Sequence, residues 1–170
     1  PLDFLRRLAP ASRTLIAHGN YLADEEIEFL AQHSDRFTIV YCPRTHAYFG
    51  HDPYPLAAML AANLNVAVGT DGRGSNPDLN VFSELQFVAS QFPEIDGQTV
   101  LRMGTLAGAM GLGLDDRLGT IEAGKEASFA IVQLTEASDP YERLFHPQSK
   151  VAATFVAGCL AAGEFEAHSG

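Results

Sequence analysis

Residues 65–85 read NVAVGTDGRGSNPDLNVFSEL. Val66, Ala67 and Val68 form a short apolar run that stops at Gly69. From residue 79 the pattern becomes helical, with Val81, Leu85, Val88 and Phe92 on one stripe until Pro93 stops it. A strand that runs into a polar, glycine-containing loop and then a helix is one step of an alternating α/β chain. The same step recurs upstream. Residues 37–41 are β-branched and aromatic and are cut off by Cys42-Pro43, while the apolar run 14–17 ends at His18-Gly19. Between these runs lie helical patterns: Phe4, Leu5 and Leu8 within 3–8; Ile27, Leu30 and Ala31 after the acidic start Asp24-Glu25-Glu26; and Leu56, Met59 and Leu60 within 55–63. The chain up to Gly69 therefore reads αβαβαβ, which implies parallel pairing with functional groups where the strands' C-terminal ends enter loops.

Downstream, a further helix is expected over 98–110. The character then changes: 118–121, 127–134, 150–157 and 159–162 read as strands separated by glycine-containing turns, with a helical turn over 139–145. A boundary near Leu114 divides the chain into 1–114 and 115–170. Three parallel strands leave two open edges, so further strands are expected ahead of Pro1 or from another chain.

The chain has 170 residues, 11 Lys plus Arg and 21 Asp plus Glu, for a net charge of −10. This balance disfavours a nucleic-acid groove or an anionic membrane as partner. With 46% hydrophobic and 19% charged residues the composition is globular. No apolar run approaches the ~20 residues of a membrane span, and no signal-like segment opens the chain, so a cytoplasmic location is expected. Cys42 and Cys159, far apart and without CxxC spacing, indicate neither a disulfide framework nor a thiolate zinc site. The first residue is Pro, which reads as a processed product or a fragment.

Three loops begin at strand ends. His18 precedes Gly19, which allows a ligand close to the backbone; it reads equally as a His satisfied by a neighbouring carbonyl. Asp71 ends a strand that should be central, where a carboxylate must be hydrogen-bonded, paired or metal-bound; it also reads as a turn former in Thr70-Asp71-Gly72. A His and an Asp at the same ends of parallel strands could orient a metal-bound water. His46 and His51 flank Tyr48 and Phe49 in a loop able to wall a pocket for a flat substrate, or simply to pack. Their spacing does not fit a helical zinc pair. Arg44 could hold a carboxylate or phosphate. The match of 119–125 to GxxxxGK fails at Glu126, where Ser or Thr must bind magnesium, and 72–76 has neither GxGxxG nor GxSxG spacing.

The runs LIAHGNYL at 15–22, YCPRTHAYFGHDPYPL at 41–56 and NVAVGTDGRGSNPDLNVFSEL at 65–85 resemble the amidohydrolase superfamily, in its cytosine deaminase, guanine deaminase and chlorohydrolase-like branches. LGTIEAGKEASFAIVQL at 118–134 is similar to the stretch in which those chains return to a small β-sandwich. The resemblance implies an α/β fold: the last part of a (β/α)8 barrel, about strands six to eight, followed by strands of the sandwich. It implies catalytic roles for His18 and Asp71, with Asp71 also a ligand of a zinc or iron ion, and substrate contacts from Arg44, His46, Ser75 and Asn76. It places the family's HxH pair, its further metal-binding His and the accompanying Glu ahead of Pro1, so the isolated chain is expected to be inactive. Thr45-His46 stands where the family commonly has Ser-Asn, and Gly72 where it has Ser.

The implied activity is hydrolysis of a carbon–nitrogen bond other than a peptide bond. A metal-bound hydroxide would deaminate or dechlorinate an amino- or chloro-substituted heterocycle, a small-molecule substrate. The alternative is a non-catalytic or partner-completed fragment acting as an interaction module, with a homo-oligomer or a missing N-terminal half as its completion. A phosphate-binding role for loop 69–75 ranks below both.

Overall fold

The computed structural model describes residues 1–136 and 138–164. In chain order the elements are α1 (Leu2–Leu8), β1 (Thr14–Ala17), α2 (Asp24–Ala31), β2 (Phe37–Tyr41), α3 (Pro43–Tyr48), α4 (Leu56–Ala61) and β3 (Asn65–Val68). There follow α5 (Val81–Gln91), α6 (Gly97–Met103), α7 (Leu106–Leu112), β4 (Phe129–Gln133), α8 (Pro140–Phe145), β5 (Lys150–Val156) and β6 (Cys159–Gly163). Strands β1, β2 and β3 form a parallel sheet in that order, with Ile16 opposite Ile39 and Ile39 opposite Val66. Strands β4, β5 and β6 form a separate antiparallel sheet.

Because side chains alternate along a strand, the parallel sheet has two distinct faces. Phe37, Ile39, Tyr41 and Val66 face a core completed by Leu5, Ile27 and Leu30, Leu56 and Met59, Leu85 and Val88, Val100 and Met103, and Phe145. The helices thus donate their stripes to one face, and each fully buried Leu, Phe or Met there contributes about 1.5–3 kcal/mol. The opposite face carries Leu15, Thr38 and Asn65 in one row and Ala17, Val40 and Ala67 in the next. Asn65 is buried and donates from Nδ2 to Thr38 Oγ1 and to the Ala107 carbonyl, both at 2.9 Å, while Oδ1 accepts from Arg102 Nη1. This satisfied amide ties α6 and α7 to the N-terminal end of the sheet.

Four expectations need correction. Residues 43–48, read as loop, form α3; Pro43 at its first turn has no intrahelical donor to lose, which makes it a helix starter there. Residues 98–110 split into α6 and α7 at Gly104-Thr105. There Leu85 packs so closely that a Cβ on Gly104 would lie 2.4 Å from Leu85 Cδ1. Residues 118–121 are no strand: 114–126 is a loop closed on itself by Leu118 N–H to the Leu114 carbonyl, Glu126 N–H to the Arg117 carbonyl and Lys125 Nζ to the Asp115 carbonyl. Finally, Val81 lies at the surface, and Glu84 takes a place on the buried face of α5 beside Leu85 and Val88.

Helix α8 leaves the antiparallel segment and packs on α5 and α6, with Phe145 in the first core. A Cβ on Gly97 would meet Tyr141 Cβ at 2.3 Å. Gly97→Val is therefore expected to lower stability by about 1–3 kcal/mol through overpacking, read as a lower urea midpoint. An unchanged midpoint would mean that α8 is not seated against α6.

Candidate functional site

His18 and Asp71 both lie just beyond the C-terminal end of the parallel sheet. His18 continues the ladder, donating its N–H to the Val40 carbonyl at 2.8 Å, and then turns left-handed at φ 66°, followed by Gly19 at φ 61°. Its carbonyl accepts from Tyr54 Oη at 2.6 Å. Tyr54 is itself buried and stacked on Tyr41, with ring centroids 3.7 Å apart, and burial pushes both phenols well above their ordinary range, so Tyr54 stays a donor. The His18 ring makes no hydrogen bond among the described residues. Asp71 is also left-handed, at φ 58°, and exposed. Left-handed backbone in a residue other than glycine is uncommon, costs on the order of 1–3 kcal/mol and concentrates at functional sites.

The Asp71 carboxylate is held on one side only. Its Oδ2 accepts from Ser75 Oγ at 3.1 Å, and Ser75 Oγ lies 3.0 Å from Thr45 Oγ1 on α3. Oδ1 has no partner among the described residues. Cys42, whose thiol burial pushes up to about 11, lies close to Asp71 and stays a neutral, inert side chain.

Beneath this loop is an ionic clamp that the sequence reading missed. Glu84 is fully buried, and its Oε1 accepts from Arg44 Nε and from Asn76 Nδ2, both at 2.5 Å. Its Oε2 accepts the Arg44 backbone N–H at 3.0 Å. The Arg44 terminal nitrogens reach Asp78, at 2.5 Å and 3.2 Å, and also Asn76 Oδ1 and the Asn80 carbonyl. Hydrogen bonds from Arg44 hold the Asp78 carboxyl down to about 2.

Arg44 and Asn76, expected to contact substrate, are thus engaged with one another and with two carboxylates, because a buried charge needs a full set of partners. His46, expected to do the same, is buried on α3: its Nε2 donates to the Asp52 carbonyl at 2.8 Å, and Nδ1 lies 3.1 Å from the Asn20 side-chain amide. Burial lowers its pKa and keeps it neutral. Hydrogen bonds join Asp71, Ser75 and Thr45 in one set and Arg44, Asn76 and Glu84 in another, the two being adjacent along the chain at Arg44-Thr45 and Ser75-Asn76, whereas His46 on α3 contacts Asn20 of the loop that follows His18. Glu84 had a signal in the sequence, a carboxylate beside Leu85 on an apolar stripe; Tyr54 and Asn20 had none.

Two concavities, of about 520 Å³ and about 180 Å³, lie around Asn65 at the N-terminal end of the sheet, opposite His18 and Asp71. A carboxylate oxygen and an imidazole are donors that zinc accepts. No group of three or more His, Cys, Asp or Glu that could hold a metal ion occurs among the described residues. Asp71 therefore fits a metal as one ligand of a larger set. No helix among the described residues is long and apolar enough to cross a membrane.

The chain is similar to proteins of known activity. It is 37% identical over 145 residues to a 5-methylthioadenosine/S-adenosylhomocysteine deaminase of Pyrococcus abyssi, covering 81% of this chain and 33% of that relative. To the deaminase of the same name from Teredinibacter turnerae it is 31% identical over 159 residues, covering 85% and 36%. Among solved structures, an adenosine deaminase from Xanthomonas campestris with bound zinc matches at a TM-score of 0.83 and 29% identity, over 96% of this chain and 40% of that one. An atrazine chlorohydrolase from Arthrobacter aurescens complexed with zinc matches at 0.81 and 26% identity, over 96% and 39%. The chain thus spans between 33% and 40% of the length of these four proteins. The family model described as amidohydrolase family matches residues 1–161, so an α/β chain with His18 and Asp71 at the ends of its parallel strands belongs to the amidohydrolase family.

Proposed function

We propose that this chain supplies the His18 and Asp71 segment of a metal-dependent hydrolase that replaces an exocyclic amino group of a heterocycle by oxygen, releasing ammonia. The observation that carries this reading is the pair of left-handed residues at one end of one parallel sheet, each with functional atoms that no neighbour in the described chain uses. The names of the relatives point to the adenine ring of a nucleoside as substrate, with a chloro-substituted ring as the variant. The same reading takes β1, β2 and β3 as about strands six to eight of a (β/α)8 barrel. It divides the chain near residue 114, ahead of a β-sandwich segment.

A divalent ion, zinc or iron, would be held in part by Asp71 and would supply Lewis acidity and an acidified water. Asp71 takes the proton from the attacking water and delivers it to the departing nitrogen, so that water and the amino compound become the oxo compound and ammonia. His18, its backbone fixed by the Val40 carbonyl and Tyr54, presents its imidazole to the attacked centre and steadies the charge that develops there. Arg44, Asn76 and Glu84 hold the Asp71 loop and do not touch substrate in this reading.

The test uses the full-length protein, stripped with a chelator and then reloaded with zinc or iron(II). Ammonia release is followed with 5′-methylthioadenosine, adenosine, guanine and cytosine, and chloride release with a chlorotriazine. Turnover of at least one of these, lost on stripping and restored by metal, is expected. Metal-replete protein that turns over none of them would overturn the proposal.

A further inference from the structure

We propose that Ser75 is a positioning residue for Asp71 and that Thr45 supports it, the two hydroxyls forming a chain that decides which carboxylate oxygen faces the reacting centre. The inference rests on the role given to Asp71 above. Ser75 Oγ has one proton and two acceptors in reach, Asp71 Oδ2 at 3.1 Å and the Gly72 carbonyl at 3.4 Å. The charged carboxylate is the stronger acceptor, so the proton goes to Asp71. Ser75 Oγ is then free to accept from Thr45 Oγ1 at 3.0 Å, while the other acceptor for Thr45, the Thr70 carbonyl, is 3.4 Å away. The chain runs Thr45 to Ser75 to Asp71, each donor strengthening the next.

Both hydroxyls are anchored from outside the loop. Thr45 is buried on α3 and follows Arg44; Ser75 precedes the buried Asn76. Arg44 and Asn76 meet on the same Glu84 oxygen, so the clamp fixes the two ends of the hydroxyl chain at once. Asp71 by contrast is exposed, and without Ser75 its carboxylate would rotate freely. With Ser75 on Oδ2, the oxygen left over is Oδ1.

The experiment compares Ser75→Ala, Thr45→Val and Thr45→Ser in the full-length protein. It measures kcat and KM separately, zinc affinity by competition with a chromophoric chelator, and the visible spectrum of the cobalt(II)-loaded protein. Outer-shell groups typically govern ~10–100-fold in activity or metal affinity. Ser75→Ala should lose that factor in kcat and in zinc affinity, with KM changed by less than about threefold and the cobalt bands moved. Thr45→Val should move the same quantities in the same direction by less, and Thr45→Ser should restore them. Wild-type kcat, zinc affinity and cobalt spectrum in Ser75→Ala would overturn the proposal, as would Thr45→Ser behaving like Thr45→Val, which would make Thr45 a packing residue only. Should Ser75→Ala fail to fold, the Thr45 pair decides. Asp71→Asn, run in parallel, separates the two readings: a silent Asp71→Asn beside a wild-type Ser75→Ala rejects this inference alone, and an active Asp71→Asn rejects the function proposed above.

Discussion

Replacing Glu84 by Ala is expected to remove about 3–5 kcal/mol of stability, the range found when one partner of a buried ion pair is deleted. The carboxylate is fully buried and accepts three hydrogen bonds, from Arg44 Nε, the Arg44 backbone N–H and Asn76 Nδ2. Truncation strands all three donors. Asp78 remains as an anion for Arg44, but its side chain is 48% exposed against 0% for Glu84, so it compensates only at the surface end of the guanidinium. Glu84→Gln keeps the shape and one acceptor oxygen but turns an amide NH2 toward donors, and it should fall between wild type and Ala. Urea unfolding checks both, as a fall in midpoint at unchanged slope. A Glu84→Ala midpoint within the equivalent of about 1 kcal/mol of wild type would show that the clamp contributes little.

The parallel sheet was legible because each of its strands is a short apolar run ended by a residue that stops it: His18-Gly19, Cys42-Pro43 and Gly69. Helix α3 was hidden because its residues, Pro43 to Tyr48, carry no apolar stripe; its one local signal is a proline, which starts a helix as readily as it ends a strand. The strand expected at 118–121 rested on Leu118, Thr120 and Ile121. Ile121 is 89% exposed, and the backbone there bonds within its own loop, which no propensity could reveal.

The candidate site divides along the same line. The positions of His18 and Asp71 could be read because each follows a strand-forming run, and the structure places both at strand exits. Arg44, His46 and Asn76 could not be sorted, because what a polar side chain does depends on what faces it. Arg44 meets Glu84 from 40 positions away, and His46 meets Asn20 from 26. Local spacing contains neither pairing. The contrast is physical: Arg44, Asn76, Glu84 and His46 have their polar groups engaged by other parts of the chain, while Asp71 Oδ1 and the His18 ring make no hydrogen bond among the described residues.

The largest functional effect is expected at Asp71. In the full-length protein, Asp71→Asn keeps the size of the side chain and an oxygen that can still accept from Ser75, so the loop and its hydroxyl chain are preserved. In the proposed function, what it removes is the charge for the metal and the capacity to take a proton from water. General acid–base catalysis alone is worth ~10²–10⁴-fold, and loss of a metal ligand adds to it. A fold intact by circular dichroism and a urea midpoint near wild type would place the loss in the chemistry. The measurement is the initial rate of ammonia release by zinc-loaded wild type and Asp71→Asn at saturating substrate. The account predicts that the variant falls by at least ~10²-fold; turnover within a few-fold of wild type would contradict it.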